Sequence, residues 1–315
     1  MTGERPIETF AGRTAFITGG GSGIGAGLAE AFLEVGAKVV IADLHEDRLA
    51  ETKKALGICD VLTIALDVTN RAAWAAAADL AESTFGQVDI LCNNAGVNVE
   101  VPVSEARYED WDWILGVNLG GCVNGVQTFV PRFRKRGGPA HIVNTASILS
   151  LLPMGPAAIY TTSKFAIRGL SSALRLDLAP HGIGVSCLCP ALVRSRGMEA
   201  EASRPDHLAV AGRAPGPGAE AIAATNALGM DPLEVGRKTL AGIGRNQELI
   251  FTHPEHAEEA EGYCARLLRS FPDEAAPNDR AALELEMSGM RTAARETADA
   301  LRTFVHRADQ NNCQR

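Results

Sequence analysis

Short apolar runs alternate along this chain with longer stretches in which apolar residues recur every three or four positions. The first run, Thr14-Ala15-Phe16-Ile17-Thr18, reads as a buried strand that passes directly into Gly19-Gly20-Gly21-Ser22-Gly23-Ile24-Gly25. Leu28, Phe32 and Val35 follow at helical spacing, which predicts a helix opening at the glycine turn. Val39-Val40-Ile41-Ala42-Asp43 predicts a second strand, and residues 249–252 a last one. Aliphatic strands alternating with Ala-rich helices indicate an α/β class with a parallel sheet covered on both faces. A chain of 315 residues suffices for one such domain with a substantial core.

Later in the chain the pattern changes. Residues 196–232 are rich in Ala, Gly and Pro, including Pro215-Gly216-Pro217-Gly218, and read as a substrate lid rather than long regular structure. Further on, Leu283, Met287, Met290, Ala294, Ala298, Leu301 and Val305 recur at intervals of three and four. They predict an amphipathic helix over 280–307 with one buried stripe. The expected organisation is a main domain over 1–252, lid included, and a helical extension over 253–315 that packs on the same domain or on a neighbouring subunit.

Composition narrows the partners. The net charge of −8, without any basic block, argues against nucleic acid. No run of about 18 apolar residues could cross a membrane. The start, Met1-Thr2-Gly3-Glu4-Arg5-Pro6, lacks an apolar signal core, so a cytoplasmic protein is expected. Seven cysteines are irregularly spaced, and Cys187 and Cys189 fall in an apparent buried strand, which suggests buried thiols. His253 and His256 flank Pro254-Glu255 without a further ligand cluster nearby, so no metal is expected.

Three groups of residues carry chemistry. The glycine turn between strand and helix offers backbone N–H groups and a positive helix terminus to an anion such as a pyrophosphate. Asp43, eighteen residues after Gly25, is placed to accept hydrogen bonds from adenosine ribose hydroxyls. A 2′-phosphate there would meet a repulsion of about 6 kcal/mol at ~5 Å and an effective dielectric near 20, which favours NAD over NADP. No compensating cation stands at Ser22 or Leu44, and the nearest, Arg48, lies on the following helix. Finally, Tyr160 and Lys164 stand four apart on one helical face, thirteen residues and more after Ser147. A cation beside a phenol favours its ionised form, as proton abstraction during hydride transfer requires.

With these residues the chain resembles the short-chain dehydrogenase/reductase family over about residues 10–250. Thr18, Gly19, Gly23 and Gly25 match its Thr-Gly-x-x-x-Gly-x-Gly motif, with Ser22 and Ile24 inside it. Asp67-Val68 resembles the family's adenine-contacting pair, and Asn93-Asn94-Ala95-Gly96 its turn after the fourth strand. Asn118, Ser147, Tyr160 and Lys164 match its catalytic tetrad. Pro190-Ala191-Leu192-Val193-Arg194-Ser195 resembles the Pro-Gly-x-Val-x-Thr stretch on the nicotinamide side, with Ala191 departing from the usual glycine.

The resemblance implies a doubly wound Rossmann fold, and NAD as cofactor with a homodimer or homotetramer as assembly. Tyr160 would act as base, kept partly ionised by Lys164 and the positive nicotinamide of NAD, with Lys164 also holding the nicotinamide ribose. Ser147 would hold the substrate oxygen, and Asn118 a water that connects Lys164 to solvent. The run from Asp110-Trp111-Asp112-Trp113 to Pro131, with the long tail, further resembles bacterial benzylic alcohol dehydrogenases of lignin aryl-ether catabolism; hydroxysteroid dehydrogenases are the alternative. A non-catalytic dinucleotide-binding protein is a remote third reading, disfavoured by the intact tetrad. Val97, Asn98, Leu149, Leu151, Leu152, Pro153, Met154, Ile159 and Met198 are candidate walls for a bulky apolar alcohol or ketone, and Arg194 and Arg196 a solvated pair on the lid loop.

Overall fold

Every residue of the strands Thr14–Thr18, Ala140–Thr145 and Ile183–Cys189 is buried, so none of these segments can present a face to water. The structure, a computed structural model, describes residues 8–57, 60–99, 101–211, 226–273, 277–301 and 304–305. Its strands are β1 (Glu8–Thr9), β2 (Thr14–Thr18), β3 (Lys38–Asp43), β4 (Val61–Ala65), β5 (Ile90–Asn93), β6 (Ala140–Thr145), β7 (Ile183–Cys189), β8 (Leu249–Phe251) and β9 (Phe304–Val305). The helices are α1 (Gly23–Glu34), α2 (Glu46–Leu56), α3 (Arg71–Phe85), α4 (Tyr108–Leu115), α5 (Gly121–Arg136), α6 (Ala158–Leu178), α7 (Pro232–Gly244), α8 (Ala257–Arg269) and α9 (Asn278–Ala300).

Seven strands form one sheet in the order β4-β3-β2-β5-β6-β7-β8, and every pairing is parallel. Side-chain alternation distributes β2 and β3 between two cores. Ile17 and Ile41 join Leu28, Phe32, Val235 and Leu240 under α1 and α7. Phe16 and Val40 join Trp74, Phe129 and Phe133 under α3 and α5, with the Phe16 and Phe129 rings 5.0 Å apart. This is the doubly wound Rossmann-like α/β architecture that the alternating runs predict. Backbone contact closes the first layer, because a Cβ on Gly27 would lie 2.1 Å from the Pro232 carbonyl oxygen. No helix among the described residues is long and apolar enough to cross a membrane. Cys92, Cys122, Cys187 and Cys189 are buried as expected, whereas Cys264 is exposed; Cys59 and Cys313 lie outside the described residues.

The tail departs from its expected form. Its long helix ends at Ala300, Leu301 is extended, and Val305 belongs to a strand paired with β1. The expected buried stripe is not buried: Leu283 is 58% and Met290 61% exposed, and Ala298 is the buried residue of the helix. Attachment at one end explains this. Buried Arg175 donates to the Ala298 carbonyl and to Asp299, at 3.3 and 2.8 Å, and Asn246 donates to the same carbonyl at 2.7 Å.

Candidate active site

Between β2 and β5 the strand order reverses, β3 and β4 running to one side and β6 to β8 to the other. At such a switch point the loops leaving neighbouring strands diverge and open a crevice at their carboxyl ends. A cleft of about 300 Å³ lies there, lined from Gly19 and Asp43 at one end to Ser147 and Tyr160 at the other.

The glycine turn forms the floor. Gly19 takes a positive φ of 66°, and a Cβ on it would press to 2.9 Å from the Ala95 backbone. Gly25 does not line the cleft; a side chain there would meet the Gly19 carbonyl oxygen at 2.0 Å, so its role is to let α1 begin directly beneath the loop. The two loops are tied together by Thr18. Its hydroxyl accepts from the amides of Asn94 and Ala95 at 2.9 and 3.0 Å, while the Asn94 amide group donates to the Thr18 carbonyl. Asn93 is turned inward and donates to Asn144 at 2.9 Å.

Asp43 ends β3 facing the cleft, and its carboxylate also holds the backbone, accepting from Gly21 N at 3.0 Å and His45 N at 3.1 Å. Gly21 thereby acquires a shape that excludes a side chain, since a Cβ would lie 2.9 Å from the Asp43 carboxylate. Asp67 is fixed similarly, accepting from the Thr69 amide and hydroxyl at 2.8 and 2.7 Å, with Val68 beside it on the cleft wall. Arg48, on α2 as the sequence places it, lines the cleft at the Asp43 end together with His45.

At the other end Pro190, Val193 and Ser195 line the cleft, and Ser195 exchanges hydrogen bonds with Asn226. His253 fastens this loop, its Nδ1 accepting from Ala191 N at 3.2 Å and its Nε2 lying 3.0 Å from the Leu192 carbonyl oxygen. Both ring nitrogens are thus engaged by the loop.

Tyr160 and Lys164 lie one turn apart on α6, and Ser147 follows β6. The Tyr160 phenol hydrogen-bonds Ser147. Burial pushes the phenol up to about 12, offset in part by that bond, and pushes the Lys164 ammonium down to about 8. Lys164 donates to the Thr145 carbonyl at 2.9 Å, with its nitrogen 5.2 Å from the Tyr160 ring centre. In the ligand-free protein burial therefore holds the phenol above its ordinary range.

Asn118 is 1% exposed and sits behind the cleft in a π-helical turn, Gly116–Gly120. Its side chain accepts from Val97 N at 2.8 Å and donates to Val97 O and Ser163 Oγ, each at 3.0 Å. The side chain is thus spent on the Val97 loop and on α6.

The walls near Tyr160 differ from expectation. Val97 and Asn98 line the cleft, joined by Trp113, Val117 and Ala200. Leu149, Leu151, Leu152, Pro153, Met154 and Ile159 do not. Leu151 and Leu152 pack with Ile148 and Tyr263, Ile159 fills a cluster behind Trp113, and Met154 is 43% exposed. The side chain of Met198 lies outside the described residues. The segment after Ser195 crosses the cleft: Ser203 bonds His45 at 2.8 Å, Arg196 pairs with Glu51 at 3.2 Å, and Arg204 stacks over Trp113 while pairing with Asp110 at 2.9 Å. Arg194 pairs with Asp231. The Asn98 Oδ1 is buried with no hydrogen-bond partner among the described residues.

Comparison with known proteins agrees with this geometry. The short chain dehydrogenase family model matches residues 13–206. A C alpha-dehydrogenase from Sphingobium sp. is 36% identical over 270 residues, 84% of this chain and 88% of its own length. A short chain dehydrogenase/reductase from Burkholderia phymatum, solved in complex with NAD, is 34% identical with a TM-score of 0.78, covering 85% of this chain and 99% of that one. LigO from Sphingobium sp., in its apo form, is 34% identical with a TM-score of 0.71, over 90% and 97% of the two chains.

Proposed function

Because this chain belongs to the short-chain dehydrogenase family, we propose that it oxidises a bulky, aryl-substituted secondary alcohol to its ketone with NAD, and runs the reverse reduction. The observation that carries the reading is the convergence of Ser147, Tyr160 and Lys164 on one end of a cleft whose other end is a side-chain-free glycine cradle capped by Asp43.

The residues present fit a nicotinamide dinucleotide. The amides of the turn around Gly19, Ser22, Gly23 and Ile24 would hold the pyrophosphate, Asp43 the adenosine ribose, Asp67 and Val68 the adenine. Asn94, Ala95 and Gly96 line the middle, and Pro190, Val193 and Ser195 the nicotinamide side. The bound nicotinamide supplies the hydride acceptor. Ser147 orients the alcohol oxygen by hydrogen bonding, and Tyr160 takes the hydroxyl proton. Lys164, fixed by Thr145, places a positive charge beside the phenol and favours its ionised form. Asn118 acts as a positioning residue that fixes the Val97 loop against α6. Asp43 selects NAD by repelling a 2′-phosphate.

The substrate reading rests on the wall around Tyr160, where Val97, Trp113, Val117 and Ala200 offer apolar surface. The unpartnered Asn98 Oδ1 is the group there that would accept a hydrogen bond from a substrate hydroxyl. The name of the Sphingobium relative, C alpha-dehydrogenase, supports dehydrogenation at an alpha carbon, and the aryl group rests on the resemblance to the benzylic alcohol dehydrogenases. A side-by-side assay of reduced-nicotinamide formation tests this, using an aryl carbinol, a hydroxysteroid, 2-propanol and a sugar with NAD or NADP. The aryl carbinol should exceed 2-propanol and the sugar by at least about tenfold in kcat/KM, since each buried methylene contributes about 0.8 kcal/mol. A steroid preference would move the substrate to that class, and equal rates on 2-propanol would overturn the apolar-pocket argument.

A further inference from the structure

The helix α9 leaves the domain as an arm. It is held at its carboxyl end by Arg175 and Asn246, while Leu283, Met287 and Met290 remain 58, 44 and 61% exposed. With Ala294 these residues follow one another by four, three and four positions, the spacing of a coiled-coil seam. Ala298, one turn beyond Ala294, is already buried in the domain.

We propose that α9 pairs with α9 of a second copy of this chain, antiparallel and about a two-fold axis between Met287 and Met290. Three observations select this occupant. The seam is symmetric about that point: Leu283 falls opposite Ala294 of the copy, and Met287 opposite its Met290, so the apolar residues form four matched layers. The flanking charges are complementary in the same register. Glu284 and Arg291 occupy equivalent flanking positions seven residues apart, and an antiparallel pair sets each against the other across the seam, twice by symmetry. Lastly, both domains are anchored at the carboxyl end of α9. An antiparallel pair keeps them at opposite ends, about 28 Å apart along the axis between the two Ala298 anchors, whereas a parallel pair would crowd them at one end. The inference does not depend on the substrate or cofactor assigned above.

The test uses the full chain and two readouts. In sedimentation, Met287→Glu combined with Met290→Glu should weaken self-association by at least about 100-fold while leaving the thermal midpoint of each domain unchanged. Glu284→Arg alone and Arg291→Glu alone should each weaken it, and the two together should restore it. In a Cys264→Ser background, Leu283→Cys with Ala294→Cys should give a covalent dimer on mild oxidation. The two positions are ~16 Å apart within one helix, so they cannot bridge intramolecularly. Each single cysteine should give none. A monomeric parent, an assembly indifferent to the glutamate pair, or cross-linking through Leu283→Cys alone would overturn the proposal.

Discussion

Tyr160→Phe removes one oxygen and leaves the ring that packs beside Lys164. With its phenol pushed up to about 12 by burial, Tyr160 in the ligand-free protein is ionised to only about one part in 10⁵ at pH 7. Bringing it to neutrality needs about 7 kcal/mol, at roughly 1.4 kcal/mol per unit. The Lys164 charge, 5.2 Å from the ring centre, already belongs to that environment, so the shift must come from the loaded site. Alcohol oxidation should therefore gain rate with pH, close to tenfold per unit below the apparent pKa of the loaded enzyme. In Tyr160→Phe, kcat should fall by about 10² to 10⁴ and the pH dependence should flatten, with cofactor binding, read by quenching of protein fluorescence, within about twofold of the parent. A variant within threefold of the parent that keeps the slope would refute the assignment of Tyr160 as base.

Three further outcomes are expected. Asp43→Ala should weaken NAD binding, since the carboxylate also holds Gly21, and should narrow the NAD-to-NADP ratio of kcat/KM by at least about tenfold; an unchanged ratio would remove Asp43 as the selector. Gly27→Ala should cost about 2 kcal/mol or more in urea unfolding, because its Cβ would meet the Pro232 carbonyl at 2.1 Å; full stability would show that α1 and α7 can separate freely. His141, pushed down to about 3 chiefly by burial and further by Arg175, binds its proton far more readily unfolded than folded. Its contribution is complete above the ordinary value of about 6.5 and declines as pH falls toward 3. The parent should lose about 2 kcal/mol between pH 7 and 5 through this group, and His141→Gln should lack that part of the acid slope.

How far the site could be read from the sequence depended on whether its parts are local. The glycine turn, Asp43 and the Tyr160–Lys164 pair each act through backbone geometry or spacing within a single element, and the structure brings all of them to one cleft. Residues supplied by the other side of the cleft were not legible. Ser203 and Ala200 reach it only because the segment after Ser195 folds back over α2 and α4. The leucines around residue 150 were misplaced for the converse reason. Neighbourhood to Ser147 in sequence does not fix direction, and the turn after it points them toward α8.

The tail shows the same limit at larger scale. A spacing of three and four states that a helix has an apolar face, but not what that face meets. Here the answer lies in a residue far from the helix: Arg175, itself buried, places its guanidinium against the Ala298 carbonyl and the Asp299 carboxylate. Those bonds fasten one turn and leave the preceding ones projecting, so burial of the stripe cannot come from the same domain. Periodicity alone treats Leu283 and Ala298 alike. The anchor separates them, because it takes Ala298 into the domain and leaves the turn around Leu283 to meet a second copy, whose Arg291 the proposed antiparallel pair sets against Glu284.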